Sequence, residues 1–413
     1  MAVFQAFRCI HPAPGLEQEI AALPYDVYSR EEALAAVKNC PRSFLRIDRA
    51  ETQFPSQVDA YDERVYEKAR DLLWSMVEQG EFVEEAKPAY YLYELTMNGR
   101  SQTGIVGCAS IDDYLSGVIK KHENTRAEKE RDRIRHVDVC GAQTGPIFLA
   151  YRQEERISQI VDTAKEQEPM FSFVSEDGVG HRGWRIEGPQ QIWALSEAFW
   201  SIPHLYIADG HHRAASAVQV GQLRRQSCPA VTGEESFHYF LAVAFPDTQL
   251  QILDYNRVVR DLNGLSRAEF LERVGESFQI QLLSERRKPD EKGTVTMFLE
   301  EQWYLLRAKP EIRTSDPVDG LDVSLLQNYL MGPVLGIGDP RTDRRIDFVG
   351  GIRGLEELER RVHTDMKAAF AMYPTSMEEL FAVADAGLLM PPKSTWFEPK
   401  LRSGLFIHGI GRK

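Results

Sequence analysis

The 413-residue chain has no Cys-x-x-Cys pair, no apolar run of about 18 residues and no basic excess. Each absence removes a class of function. The five cysteines (Cys9, Cys40, Cys108, Cys140, Cys228) are odd in number and widely spread. They read as reduced structural thiols, not as a disulfide framework, a redox pair or a zinc finger. Without a long apolar run, no membrane span is expected. Lys and Arg total 49 against 62 Asp and Glu, a net charge of −13. Such a surface repels polyanions, so neither nucleic acid nor membrane is the expected partner. The segment Met1-Ala2-Val3-Phe4-Gln5-Ala6-Phe7-Arg8 is not a basic stretch leading into an apolar one, and a cytoplasmic location is expected.

Familiar site signatures are missing as well. There is no Gly-x-x-x-x-Gly-Lys-Ser/Thr loop and no Gly-x-Ser-x-Gly elbow, and Gly350-Gly351-Ile352-Arg353-Gly354 lacks Rossmann spacing. His122-Glu123 does not open a zincin motif, because Arg126 stands where the second histidine belongs. A zinc set of His204, His211 and His212 fits no closed or catalytic spacing. The chain shows no internal repeat and no low-complexity tract.

What is present is globular in kind: 43% hydrophobic and 27% charged residues exclude a largely disordered chain. Val65, Ala69, Leu72, Leu73, Met76 and Val77 have helical spacing within Asp62 to Glu78. Two apolar runs, from Tyr90 and from Gly104, flank Asn98-Gly99, which suits a type I′ hairpin turn. A second pair, Phe171 to Val174 and Gly183 to Ile186, brackets Asp177-Gly178. The segment from Asp113 to Val139 is charged and reads as helical. Strands are also expected at Pro146 to Tyr151, His204 to Ala208 and Phe237 to Phe245. Further strands are expected at Phe278 to Leu283, Val295 to Phe298 and Trp303 to Leu306, with helices near Gln190 to Trp200, Val323 to Leu330 and Ser376 to Ala386. Local hairpins mixed with helices indicate an α+β fold with largely antiparallel sheets. Candidate boundaries lie near Leu115 and in Pro310 to Pro317, and the expected regions are 1–115, 116–260 and 261–413.

The densest run of chemistry is Asp209-Gly210-His211-His212-Arg213. An apolar strand ends at Asp209, Gly210 permits a sharp turn, and an alanine-rich helix follows whose N-terminus attracts anions. Arg213 adds a fork for phosphate oxygens, and the histidines add donors that titrate near neutrality. Asp209 also fits a plain helix cap. A second cluster holds Lys120, Lys121, His122, Glu123, Thr125, Arg126, Lys129, Asp132, Arg133 and His136. It reads either as a solvated helical face or as a carboxylate base beside a donor. Arg42, Ser43 and Arg46 are candidates for a pocket. Lys393, Ser394 and Thr395, behind Pro391-Pro392, are candidates for a preordered anion clamp.

Pro24-Tyr25-Asp26-Val27, His122-Glu123-x-Thr125 with Asp132-Arg133, Asp209 to Arg213, and Met390 to Lys400 together resemble a bacterial and archaeal family labelled domain of unknown function 1015. Asp209-Gly210-His211-His212-Arg213 is also similar to the phosphate-binding turn of the ParB and sulfiredoxin superfamily. Free-serine kinases of that superfamily carry the same run after a His-Glu pair. In this sequence the interval between His122-Glu123 and the run is longer.

The resemblance implies a ParB-like core in 116–260. It further implies a small-molecule kinase that moves phosphate between ATP or ADP and a hydroxyl substrate, plausibly free L-serine. Glu123, Asp209, His211 and His212 would be catalytic. Gly210, Arg213, His122 and Thr125, with Lys393, Ser394 and Thr395, would bind phosphate, and Asp209 would meet Mg²⁺. A nucleotide-dependent regulatory switch and a phosphatase are the alternatives. The oligomeric state is open.

Overall fold

The computed structural model describes residues 1–125, 127–228 and 232–411. They fall into two compact units, Met1–Leu250 with Pro399–Lys413, and Gln251–Glu398.

The first unit is built on a nine-stranded sheet. Its central hairpin joins Tyr90–Met97 to Arg100–Ser110, with Met97 opposite Arg100. Asn98 and Gly99 have φ of 52° and 77°, the left-handed pair that a two-residue type I′ turn requires. From one edge the strands run Ile119–Lys120, Leu205–Asp209, Ile147–Tyr151, Tyr239–Pro246, Arg100–Ser110, Tyr90–Met97, Gly180–Ile186 and Phe171–Val174, with Phe4–Gln5 off Arg100–Ser110. Two pairings are parallel: Leu205 to Tyr206 with Ile119 to Lys120, and Ala242 to Pro246 with Ile147 to Tyr151. The others are antiparallel, as α+β requires. Helices Glu155–Lys165, Pro189–Ser201 and His211–Ser227 supply Ile157, Leu195, Phe199, Ala214 and Ala217 to the core against this sheet.

A four-stranded sheet in the same unit orders Phe82–Glu84, Cys9–Pro12, Ile407–Gly409 and Ala142–Gln143. The tail around Ile407 is thereby fixed beside the N-terminal strand. Helix Glu63–Glu78 buries Val65, Ala69, Leu73 and Met76 in this second core, as their spacing predicts.

The charged segment after Asp113 departs from expectation. Helix Ile111–Ser116 stops at Gly117 (φ 80°), Ile119 is buried in the parallel pairing with Leu205, and the next helix is Ala127–Cys140. His122, Glu123 and Thr125 therefore sit in a loop. A left-handed glycine followed by a buried strand residue outweighs the helical charge pattern. Leu115 lies within Ile111–Ser116, and residues on both sides of it give strands to one sheet.

The second unit holds a six-stranded, wholly antiparallel sheet. Its order is Phe278–Leu283, Gln302–Ala308, Thr294–Leu299, Ala368–Met372, Tyr255–Val259 and Ile346–Gly350. A small antiparallel pair joins Ile252–Leu253 to Trp396–Phe397. Pro310 to Pro317 lies inside this unit, between Gln302–Ala308 and Asp322–Leu326. Among the described residues, no helix is long and apolar enough to cross a membrane.

Candidate active site

The site begins with a strand, a turn and a helix. Leu205, Tyr206, Ile207 and Ala208 are buried, and the pairing with Ile147–Tyr151 shifts register between Ile207 and Asp209. That irregularity closes the strand and delivers Asp209 at its end. Gly210 has φ 92°, and a Cβ there would lie 3.0 Å from Arg213 Nε. Backbone and packing both require glycine. Helix His211–Ser227 then opens with Gly210 as its cap residue and no side-chain hydrogen bond to its first turn. Asp209 is therefore not the cap. The first-turn N–H groups and the positive end of the helix dipole are left for an anion.

Charges converge on Asp209. Lys400 Nζ lies 3.4 Å and Arg213 Nη2 3.6 Å from Asp209 Oδ2. Burial opposes ionisation of this carboxyl, but Lys400 and Arg213 outweigh it and hold it below the usual range. Two cations thus stand beside Asp209 at an uncapped helix N-terminus. The same arrangement does not fit a protein-held Mg²⁺ at Asp209, because both cations beside its carboxylate would oppose the ion. Among the described residues, no group of three or more His, Cys, Asp or Glu is placed to hold a metal. His204 stands before the strand that His211 follows, so the histidine trio does not assemble.

Glu123 reaches the turn from the loop, with Oε2 3.9 Å from His211 Nδ1. The ring of His122 meets that of His211 edge-on at 4.6 Å. Burial and His122 push His211 well below its ordinary pKa. Burial likewise lowers His122 to about 4, against opposing effects of Asp209 and a hydrogen bond to the Ile207 backbone. Both rings are neutral at neutral pH. His212 is half-buried, and its carbonyl accepts Ser216 Oγ at 2.7 Å. Thr125 Oγ1 donates to Glu130 Oε1, a local bond at the head of the following helix. Arg126 lies outside the described residues.

Arg213 is more committed than an open fork. Its Nη1 donates to Pro146 O at 2.6 Å, and its side chain is 15% exposed. Beside it lies a cavity of about 30 Å³, lined among others by Tyr25, Asp48, Arg133, Gly145, Arg213 and Ser403.

Lys400 is the residue that sequence reasoning left without a role, although it closes the run from Met390. Arg133 and Tyr25, which stand out in the sequence only as parts of longer runs, face the cavity. Their shared signal is polarity inside otherwise rigid segments.

Other expectations are not drawn together here. Arg42 pairs with Glu19 and Glu81 at the surface, Arg46 donates to Pro41 O, and Ser43 Oγ accepts Leu45 N. Lys393, Ser394 and Thr395 belong to the second unit. There Lys393 has φ 61° with its carbonyl accepting Arg257 Nη2, and Ser394 Oγ donates to Pro391 O.

A model of the family described as Protein of unknown function (DUF1015) matches residues 4–324. No curated protein matches the chain. Among solved structures, a mutant of free serine kinase in complex with ADP aligns at 15% identity and a TM-score of 0.35, covering 71% of this chain and 87% of its own. A conserved hypothetical protein from Pyrococcus furiosus aligns at 14% identity and a TM-score of 0.34, over 72% and 93% respectively. SbnI with a C-terminal truncation, from Staphylococcus aureus, aligns at 12% and 0.34, over 71% and 82%.

Proposed function

The chain belongs to the DUF1015 family, and from the site it carries we propose that it is a small-molecule kinase, transferring phosphate between a nucleotide and a hydroxyl substrate such as free L-serine. One observation carries the reading. A carboxylate, Glu123, stands 3.9 Å from His211 at the mouth of an uncapped helix N-terminus flanked by Lys400 and Arg213. Phosphoryl transfer asks a protein mainly to position the partners and neutralise charge. The helix N-terminus and Arg213 hold phosphate oxygens. Asp209 keeps Lys400 and Arg213 in place. Glu123, on the partly exposed side, accepts the proton of the attacking hydroxyl. Neutral His211 donates a hydrogen bond to the transferring group, and His212 adds a donor in the same first turn. Divalent metal, where the nucleotide needs it, arrives with the nucleotide.

The test is phosphorus NMR of pure protein with ATP or ADP and a panel of hydroxyl amino acids. The expected product is a phosphorylated amino acid. Inorganic phosphate released without acceptor would make the protein a phosphatase. Nucleotide binding with neither product would make it a switch.

A further inference from the structure

The cavity beside Arg213 is not used by the phosphate turn; it is small and sets polar groups among apolar walls that include Val137, Ile147 and Ala217. At about 10–15 Å³ for each water-sized group, its volume of about 30 Å³ takes two such groups, as many as the oxygens of one carboxylate.

Its walls present donors whose hydrogen-bonding capacity is unused. Arg133 is 8% exposed. Its Nε donates to Asp132 Oδ2 at 2.8 Å, and its Cζ lies 4.1 Å from the centre of the Tyr25 ring. The ring fixes the plane of the guanidinium, and the bond through Nε leaves both terminal nitrogens uncommitted among the described residues. Burial raises the Tyr25 hydroxyl to about 12, so it remains a donor. Ser403 is 3% exposed. Its Oγ lies 3.2 Å, and Arg213 Nη1 3.6 Å, from the point where a Cβ on Gly145 would stand. Gly145 thus keeps open the space on which these groups converge.

Arg133 and Arg213 face one wall carboxylate, Asp48, whose Oδ1 accepts Thr144 Oγ1 at 2.9 Å. Burial and Arg133 hold His136 below its ordinary value, so it adds no charge. Arg133 is also paired with Asp132 and Arg213 with Asp209, so what the cavity offers a ligand is unused donors and not an excess of charge.

We propose that this cavity is a carboxylate subsite, in which Arg133, Tyr25 and Ser403 hold the carboxylate of a small acidic alcohol while its hydroxyl faces the phosphate turn across Arg213. In naming the ligand as the phosphoryl acceptor, the inference rests on the kinase reading. The subsite itself is read by binding alone. The acceptor class is then hydroxy acids and hydroxy amino acids, and simple alcohols and sugars are excluded. The terminal nitrogens of Arg133 gain little from a neutral ligand, whereas a carboxylate makes charge-assisted hydrogen bonds to them.

The experiment is titration calorimetry of the full chain, without nucleotide, using glycolate and ethylene glycol as probes. Glycolate should bind and ethylene glycol should not. Gly145→Ala places a methyl group in the cavity at a position with ordinary backbone angles and should raise the glycolate Kd at least tenfold. Ser403→Ala, a milder change, should raise it severalfold and covers the case in which Gly145→Ala does not fold. Equal binding of the two probes overturns the subsite. So does a glycolate Kd unchanged within twofold in both variants. If glycolate binds and the variants weaken it while no acceptor is phosphorylated, the subsite stands and the kinase reading falls.

Discussion

Glu123 is the residue on which the proposed chemistry turns. An alcohol is almost fully protonated at neutral pH, and a carboxylate placed against it raises transfer by roughly 10²–10⁴. Glu123→Gln keeps shape and hydrogen bonding but cannot take the proton. A fall in kcat of that order is expected, with nucleotide affinity nearly unchanged, because the phosphate grip lies at the turn. Steady-state kinetics beside calorimetry with ADP checks both halves, and wild-type turnover would remove Glu123 from the mechanism. Gly210 is constrained differently. A side chain at φ 92° is strained by about 1–2 kcal/mol, and the added Cβ would crowd Arg213. Gly210→Ala should therefore lower the urea midpoint and weaken ADP binding together. A variant with unchanged midpoint and affinity would mean that the turn relaxes freely.

At the level of elements, the proposed function makes the strand, turn and helix around Asp209 one anion-binding device. Arg213 serves it twice, through Pro146 O and through Asp209. Arg213→Ala should cost about 1.5–3 kcal/mol in binding of a phosphate ligand, the usual range for a charged hydrogen-bonding group. Calorimetry with ADP on the folded variant measures this, and undiminished affinity would remove the cradle. This device was legible in the sequence because each part is local: a buried strand, a turn glycine and an alanine-rich helix within one short run. The Asn98-Gly99 hairpin was legible for the same reason. The alternative of a plain cap at Asp209 does not hold, because the register shift after Ile207 and the left-handed Gly210 move the helix start by one residue. The helix expected through His122 was lost to Gly117 and to burial of Ile119. Lys400 was illegible as a partner of Asp209. It lies 191 residues away, and no local pattern encodes a pairing made by the tail's return to the first unit. The strands Tyr255–Val259 and Ala368–Met372 are likewise defined by long-range pairing.

Over the whole molecule, the two units have opposite acid–base character. Nine of the ten histidines lie in the first unit, and the second holds only His363. Burial lowers His122 and His408 to about 4. Burial and Arg402 lower His181 to about 3, and His136 and His211 are also depressed. A histidine whose folded pKa lies below the unfolded 6.5 binds its proton first in the unfolded chain. The stability it contributes is complete above 6.5 and falls as pH drops toward 4, by up to about 1.4 kcal/mol per pH unit for each such group. Asp113, raised by burial, opposes this with a single carboxyl. In the second unit, burial raises Asp322 from 3.8 to about 7, with Glu379 adding to the effect while a hydrogen bond from Gly293 N, Lys292 and Arg313 oppose it. There the sign is reversed. The folded state holds the proton more tightly, so stability is complete below 3.8 and is lost as pH rises through 7. Acidifying from about pH 7.5 to about pH 5 should therefore loosen residues 1–250 and tighten residues 251–398. Hydrogen exchange resolved by peptide, corrected for the intrinsic rate at each pH, reads both on the same full-length sample. Asp322→Asn keeps an acceptor for Gly293 N and removes the titration, so it should abolish the response of the second unit and leave that of the first. If both units shift in the same direction, or if Asp322→Asn leaves the second unit's response intact, the buried carboxyl is not its source.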